Sequence, residues 1–125
     1  MKESIFTDRA PRPVGPYSQA IKIDKWVFIS GQVPIDPSTG QRVKGDFKVK
    51  VKRVLENIKA IIEAAGGGLQ NVVKVTIFLS DINKFQELNE IYKEYFKDKP
   101  PARSVMEAKL PKDFELMVEA IAYIE

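Results

Sequence analysis

Apolar residues recur at helical spacing in two stretches of the chain. The first stretch predicts a helix of about five turns, which Asp46 would cap and the glycines at 66–68 would end. Its apolar stripe is Phe47, Val51, Val54, Leu55, Ile58, Ile61, Ile62 and Ala65. A second helix is predicted to open at Asp81. Its inward stripe is Phe85, Leu88, Tyr92, Tyr95 and Phe96.

Alternating or continuous apolar runs predict strands around these helices. Ala20–Ile23 and residues 26–30 form a predicted hairpin, Val72–Leu79 a strand, residues 105–110 a short strand just after Arg103, and residues 114–124 a long final strand. The proline-rich segment 11–16 is expected to be an extended arm. The order β-β-α-β-α-β-β predicts an α+β fold with two helices on one sheet face.

The final strand has large apolar residues on both of its faces. One face carries Phe114, Leu116, Val118, Ala120, Ala122 and Ile124, and the other carries Glu115, Met117, Glu119, Ile121 and Tyr123. One face of the sheet is predicted to meet the helices. An apolar second face is typical of contact with another subunit.

Length and composition predict one domain spanning residues 1–125, since 44% hydrophobic and 30% charged residues are ordinary for a folded chain. No stretch approaches the roughly 20 apolar residues of a membrane helix, and the N-terminus lacks a signal-peptide core. We therefore expect a cytoplasmic protein without membrane contact. The net charge is +3, and the densest basic group, Lys48 to Arg53, is interpreted as a solvated helix face ahead of a nucleic-acid patch.

The absence of histidine and cysteine restricts acid/base chemistry to Glu, Asp, Lys or Tyr. No nucleotide-binding, phosphate-binding or metal-binding motif is present, so no cofactor and no metal are expected. Arg103 follows Pro100-Pro101, and a guanidinium at such a rigid corner can bind a small carboxylate bidentately. The alternative is a surface ion pair.

Glu119 lies between Met117 and Ile121 on one strand face. If that face is covered, desolvation raises the pKa of this carboxyl, and Glu119 could then activate a water molecule. A structural carboxylate paired with a neighbouring Lys or Arg is the alternative, and the residues alone leave both open.

Four further residues have two interpretations each. Tyr17 could donate to a ligand, but core packing at a turn is favoured. Asn89 falls on the second helical stripe, where bracing of the backbone is favoured over ligand contact. Ser30 and Gly31 end an apolar strand, where a ligand could approach the backbone closely or a β-bulge could form.

Taken together, several motifs in this order and spacing resemble the Rid family, also called YjgF, of reactive-intermediate deaminases. The motifs are Gly15-Pro16-Tyr17-Ser18-Gln19-Ala20, Ser30-Gly31-Gln32, Asn57, Asn89, Pro101-Ala102-Arg103-Ser104, Leu110-Pro111-Lys112-Asp113 and Glu119-Ala120-Ile121-Ala122. The resemblance implies a chorismate-mutase-like homotrimer with ligand clefts between subunits. It also implies hydrolysis of 2-imino acids or their enamine tautomers to 2-keto acids and ammonia without a cofactor, as in 2-iminobutanoate/2-iminopropanoate deaminases.

Within this resemblance, Arg103 would bind the substrate carboxylate and Glu119 would activate water, in one pocket. Tyr17, Asn89 and the Ser30-Gly31 backbone would line the cleft. Val105 stands where many deaminases of the family have cysteine, and would offer its backbone amide instead. The segment from Ser104 to Leu110 looks one residue shorter than in those proteins. RNA cleavage or translation inhibition, and non-catalytic ligand binding or chaperone-like binding, are the rival functions of the family.

Overall fold

Six strands and two helices make up the fold in a computed structural model that describes all 125 residues. The strands are β1 (Lys2–Ile5), β2 (Ala20–Ile23), β3 (Trp26–Gln32), β4 (Val72–Leu79), β5 (Ala102–Glu107) and β6 (Leu116–Tyr123), and the helices are α1 (Phe47–Ala64) and α2 (Phe85–Tyr95). All strands belong to one sheet in the order β1-β2-β3-β6-β4-β5. Only β4 and β5 are parallel, while every other neighbouring pair is antiparallel. The predicted α+β class is confirmed, with a mixed sheet.

Helix α1 begins and ends where its sequence signals predict. The Asp46 side chain accepts a hydrogen bond from the Val49 amide at 3.1 Å. At the other end Gly66 adopts a φ of +99°, the left-handed conformation that glycine tolerates best. The buried stripe of α1 packs on the sheet at β3 and β6 and against α2. Both helices therefore cover the same sheet face.

Helix α2 begins one turn later than its pattern predicts. Asp81 caps a separate 3₁₀ turn, Ile82–Lys84, by accepting from the Asn83 amide at 2.9 Å. Phe85, expected to point inward, is 37% exposed, and Ile91 is buried although it lies outside the predicted stripe. The buried positions 88, 91 and 92 follow the i, i+3, i+4 rule of an eleven-residue helix that starts at residue 85.

One strand was not predicted, and several strand ends differ from the prediction: β3 ends at Gln32, β5 at Glu107 and β6 at Tyr123. β1 was not predicted, and it pairs with β2 at the edge of the sheet. β5 begins at Ala102, so Arg103 lies inside this strand rather than before it. β6 begins at Leu116, because the 3₁₀ turn Pro111–Asp113, the extended Phe114 and a bend at Glu115 precede it. The β4–β5 register is regular from Ala102 to Glu107, so any shortening of this segment is absorbed beyond the strand.

A β-bulge interrupts the pairing of β3 with β6. Ile29 lies opposite Ala120 and Gln32 lies opposite Val118, which leaves Ser30 and Gly31 facing the single residue Glu119. The bulge interpretation of these two residues is therefore confirmed. Bulges re-aim side chains and backbone groups at the rim of a sheet.

The sheet face opposite the helices is apolar and open in the single chain. Trp26, Phe28 and Met106 are between 41% and 45% exposed, while Phe78 and Ile121 are half-buried. No helix has both the length and the apolar character needed to cross a membrane.

Candidate functional site

A cleft of about 590 Å³ lies beside the bulge, between the N-terminal arm and β6. Tyr17, Ser30, Gly31 and Glu119 all line it, together with Lys112 of the 3₁₀ turn before β6. Four of the residues expected in the site are thus brought together by one chain. A cavity of this size accommodates a small metabolite.

The arm that walls the cleft is held by one buried glutamine. Gln19 is 1% exposed. Its Oε1 accepts from the Thr7 amide at 2.7 Å, and its Nε2 donates to the carbonyls of Thr7, Ala10 and Pro11 at 3.1, 3.3 and 2.9 Å. A side chain that satisfies this many backbone groups fixes an otherwise irregular segment. The neighbouring Tyr17 is positioned with it.

Tyr17 does not cover the core, so the favoured packing interpretation is wrong. The residue is 50% exposed. Its hydroxyl oxygen accepts a long bond of 3.4 Å from the Val14 amide, which leaves the hydroxyl proton free to be donated. Tyr17 can therefore hydrogen-bond to a molecule in the cleft.

Ser30 and Gly31 form the floor of the cleft with their backbone. The Ser30 hydroxyl donates to the Ser18 carbonyl at 2.6 Å, and the Ser30 amide donates to the Gln19 carbonyl at 2.9 Å. A Cβ added at Gly31 would lie 2.7 Å from Sδ of Met117. The glycine therefore lets the Met117 side chain pack directly against the bulge.

Glu119 points away from the helices and is exposed in the single chain. It lies opposite Thr76 of β4 and makes no ion pair and no side-chain hydrogen bond. The alternative of a structural carboxylate held by a Lys or Arg of its own chain is thus unsupported. An unpaired carboxylate at the edge of a cleft is available to accept a proton.

Arg103 lies on the opposite face of the sheet, next to α2. Its Nη1 donates to Oδ1 of Asn89 at 2.8 Å, and its Cζ lies 4.8 Å from the ring centroid of Tyr92 and 5.4 Å from that of Phe85. No carboxylate pairs with it, so the surface ion-pair alternative is wrong. Asn89 braces this guanidinium rather than the backbone, which corrects the favoured interpretation of Asn89.

Burial changes the titration of the aromatic side chain beside this arginine. Burial raises the pKa of Tyr92 to about 12, although the positive charge of Arg103 opposes the change. The Tyr92 hydroxyl is buried without a hydrogen-bond partner. Val105, two residues after Arg103 on the same face of β5, packs against the core.

Arg103 and Glu119 do not meet within one chain. Arg103 is level with Val75, whose side chain is buried beneath the helices, whereas Glu119 is level with Thr76 on the open face. Successive residues of β4 point to opposite sides of the sheet. The expected single pocket containing both residues is therefore absent from the single chain, which instead presents two separate groups of site residues.

One clamp near the cleft has no signal in the sequence. Arg42 donates from Nη1 to the Lys112 carbonyl at 2.8 Å and from Nη2 to the Asp113 carbonyl at 3.2 Å, and its Cζ lies 4.3 Å from the Phe114 ring. Lys112 and Asp113 both have positive φ, 53° and 55°, which is uncommon outside glycine. The clamp holds this unusual turn, and thereby Lys112, at the rim of the cleft. The two segments are too far apart in the chain for pattern reasoning to connect them.

The dense basic group on α1 does not form a continuous positive patch. Lys48 pairs with Glu90 at 3.0 Å, Lys50 pairs with Glu115 at 2.9 Å, and Arg53 donates to Asn57 at 3.1 Å. Lys52 and Arg53 of this group have no carboxylate partner. No cluster of three or more acidic side chains comes together as a ready set of metal ligands.

Comparison with known proteins gives one consistent family. Residues 7–124 match the family model described as Endoribonuclease L-PSP. A RutC family protein of Pyrococcus abyssi is 58% identical over 99% of this chain and 98% of its own length. The human 2-iminobutanoate/2-iminopropanoate deaminase is 46% identical over 98% of this chain and 90% of its own length. The crystal structure of a Thermotoga maritima protein, 50% identical, superimposes with a TM-score of 0.98 over 100% of this chain and 99% of that one.

Proposed function

The chain belongs to the YjgF/RutC/Rid family, and from this premise we propose that it is a deaminase that hydrolyses 2-imino acids or their enamine tautomers to 2-keto acids and ammonia. One observation carries the proposal: Arg103 is held only by uncharged groups, so its full charge is free for a ligand carboxylate. The name of the human relative supports the same chemistry. A planar guanidinium binds carboxylates bidentately.

The cleft would be completed by a second copy of the chain in a homotrimer. Arg103, Asn89 and Val105 of one copy would face Tyr17 and Glu119 of its neighbour. Two observations support this arrangement: the two groups lie on opposite faces of one sheet, and the open face is apolar. Apolar faces of this kind are covered by partners.

The proposed reaction needs one cation and one proton carrier. Arg103 binds the substrate carboxylate and orients the protonated imine, whose carbon is already electrophilic. Glu119 takes a proton from water, and the water oxygen bonds to the imine carbon to give a tetrahedral carbinolamine. The proton passes from Glu119 to the nitrogen. The carbon–nitrogen bond then breaks, the hydroxyl gives its proton to Glu119 to form the keto acid, and Glu119 passes that proton to the leaving ammonia, so that it ends as a carboxylate.

An assay with imino acids made in situ tests the activity directly. An amino-acid oxidase generates the imine, and semicarbazide traps what remains. The protein should lower the amount of trapped imine and speed ammonia release, and Arg103→Lys should abolish most of this effect. Arg9→Lys makes the same change at a surface pair with Glu63, and serves as the matched control. Equal trapping with and without the wild-type protein would refute the proposal.

Sedimentation equilibrium tests the assembly. The proposal predicts a mass close to three times the chain mass of 14.2 kDa. A mass near that of one chain at micromolar concentration would contradict the shared cleft.

RNA cleavage is the second candidate, favoured by the description of the family model and by a pI of about 9.1. Phosphate contacts make RNA binding fall steeply with salt. The basic group of α1 gives it little support, because Lys48 and Lys50 are neutralised by ion pairs. Salt-sensitive binding and cleavage of RNA, without an effect on imine trapping, would favour this candidate over the deaminase.

A further inference from the structure

Three uncharged side chains of α2 surround the guanidinium of Arg103. Phe85, Asn89 and Tyr92 are spaced i, i+4 and i+7, so they share one face of the helix. Asn89 fixes one nitrogen at 2.8 Å, and the two rings lie 5.4 and 4.8 Å from Cζ. We call these three residues the α2 cradle.

We propose that the α2 cradle positions Arg103 without neutralising it, and so sets the affinity of the cleft for the carboxylate of its ligand. This inference rests on the proposed function, because it concerns how that carboxylate is bound. Within the cradle, Asn89 orients the guanidinium through a neutral acceptor. The rings of Phe85 and Tyr92 attract the cation through their faces.

Three of the other four arginines pair with a carboxylate, whereas Arg53, like Arg103, donates to a neutral asparagine, Asn57, at 3.1 Å. Arg9, Arg12 and Arg42 each pair with a carboxylate within 4 Å, at 3.1, 3.5 and 3.7 Å. A carboxylate in the place of Asn89 would hold Arg103 equally well. It would also occupy the charge that a ligand needs, since a second anion then competes for the same cation.

Tyr92 contributes its ring face to the α2 cradle rather than its hydroxyl. Its ring lies under the guanidinium, whereas its hydroxyl is buried without a hydrogen-bond partner. A buried hydroxyl without a partner is a cost rather than a contact. The ring face therefore explains the position of Tyr92, and a phenylalanine should serve in its place.

The first test is the nearly isosteric change Asn89→Asp, with 2-oxobutyrate as the probe ligand in isothermal titration. The Kd should rise by about tenfold or more, which corresponds to about 1.4 kcal/mol, while kcat at saturating substrate changes less than KM. Asn83→Asp makes the same change at an exposed residue of the preceding 3₁₀ turn, and its Kd should stay within about twofold of wild type. An unchanged Kd in Asn89→Asp would overturn the inference.

The second test compares two changes at Tyr92. Tyr92→Leu should weaken 2-oxobutyrate binding, and Tyr92→Phe should restore it, because only the phenylalanine keeps the aromatic face. Equal Kd values for the two variants would overturn the role of the ring. This pair decides the question if Asn89→Asp does not fold.

Arg103→Lys separates failure of the inference from failure of the proposed function. If Arg103→Lys binds 2-oxobutyrate as tightly as wild type, the carboxylate is bound elsewhere and both are overturned. If Arg103→Lys loses binding but the Asn89 and Tyr92 variants keep it, the proposed function stands and the cradle is overturned. Loss of binding in Arg103→Lys, Asn89→Asp and Tyr92→Leu, with recovery in Tyr92→Phe, supports both.

Discussion

Gly31→Ala should lower the free energy of unfolding of the wild-type protein but raise it in a variant in which Met117 is truncated. A Cβ at Gly31 would lie 2.7 Å from Sδ and 2.9 Å from Cγ of Met117. These distances are shorter than real Cβ contacts, so Gly31→Ala must displace the Met117 side chain. Overpacking of this kind costs about 1–3 kcal/mol of unfolding free energy. Met117 is half-buried and flexible, so we expect a cost of about 1 kcal/mol.

The same substitution should become stabilising once Met117 is truncated. Gly31 does not have a positive φ, so alanine can adopt its backbone conformation without strain. Alanine also reduces the conformational freedom of the unfolded chain, which contributes about 0.4–1 kcal/mol where the native backbone is compatible. In a Met117→Ala background, Gly31→Ala should therefore raise the free energy of unfolding.

A double-mutant cycle measures this reversal. Urea denaturation of wild type, both single variants and the double variant gives a coupling energy, which we expect to be about 1.5–2 kcal/mol. All four proteins must be compared at one concentration, because the stability of an oligomer depends on it. If Gly31→Ala changes the stability equally in both backgrounds, within about 0.5 kcal/mol, the close packing of Met117 is not the reason for this glycine.

Three further predictions concern charged groups. Arg103→Lys should weaken 2-oxobutyrate binding by on the order of a hundredfold, because a charge-assisted bond of about 2–3 kcal/mol is lost. Its melting temperature should not change. Unchanged binding in calorimetry would remove Arg103 from the site. Glu119→Gln should lower kcat in the ammonia-release assay while the Kd for 2-oxobutyrate changes little; turnover at the wild-type rate makes Glu119 dispensable for proton transfer. Burial raises the pKa of Glu115, but the hydrogen bond and charge of Lys50, a backbone hydrogen bond and the charge of Arg42 together outweigh it and hold this pKa below the ordinary 4.5. The stability that this pair contributes is therefore present above pH 4.5 and lost as pH falls through the lower folded-state value. Lys50→Met should lose less stability than wild type between neutral pH and about pH 3 in urea denaturation, and an equal loss in both proteins contradicts the assignment.

Local signals were enough to predict the helices and most strands. Asp46, the α1 stripe and the glycine at 66 define one helix completely, because capping and periodicity both act within a few residues. β1 could not be predicted in this way. Lys2–Ile5 has little apolar pattern and becomes a strand only by pairing with Ala20–Ile23, a contact between distant segments.

Four of the residues that line the cleft were singled out from the sequence, but their placement relative to Arg103 was not. The motifs singled out Arg103, Glu119 and Tyr17, yet the sequence does not reveal that β5 runs parallel to β4 and turns Arg103 toward α2. That register decides which face each side chain occupies, and a change of one residue reverses it. The Arg42 clamp on the turn before β6 depends on tertiary contact, and no local pattern signals such a contact.

Activity of mixed assemblies tests most directly the central claim that each cleft takes Arg103 from one copy and Glu119 from its neighbour. Arg103→Lys and Glu119→Gln chains are co-expressed in equal amounts with different tags, and assemblies that carry both tags are isolated. A cleft is intact when a Glu119→Gln copy supplies Arg103 and an Arg103→Lys copy supplies Glu119. In a mixed head-to-tail ring of three copies, one of the three clefts is intact whatever the order of the copies. The account therefore predicts recovery of about a third of wild-type ammonia release, whereas activity no higher than that of the separate variants would contradict it.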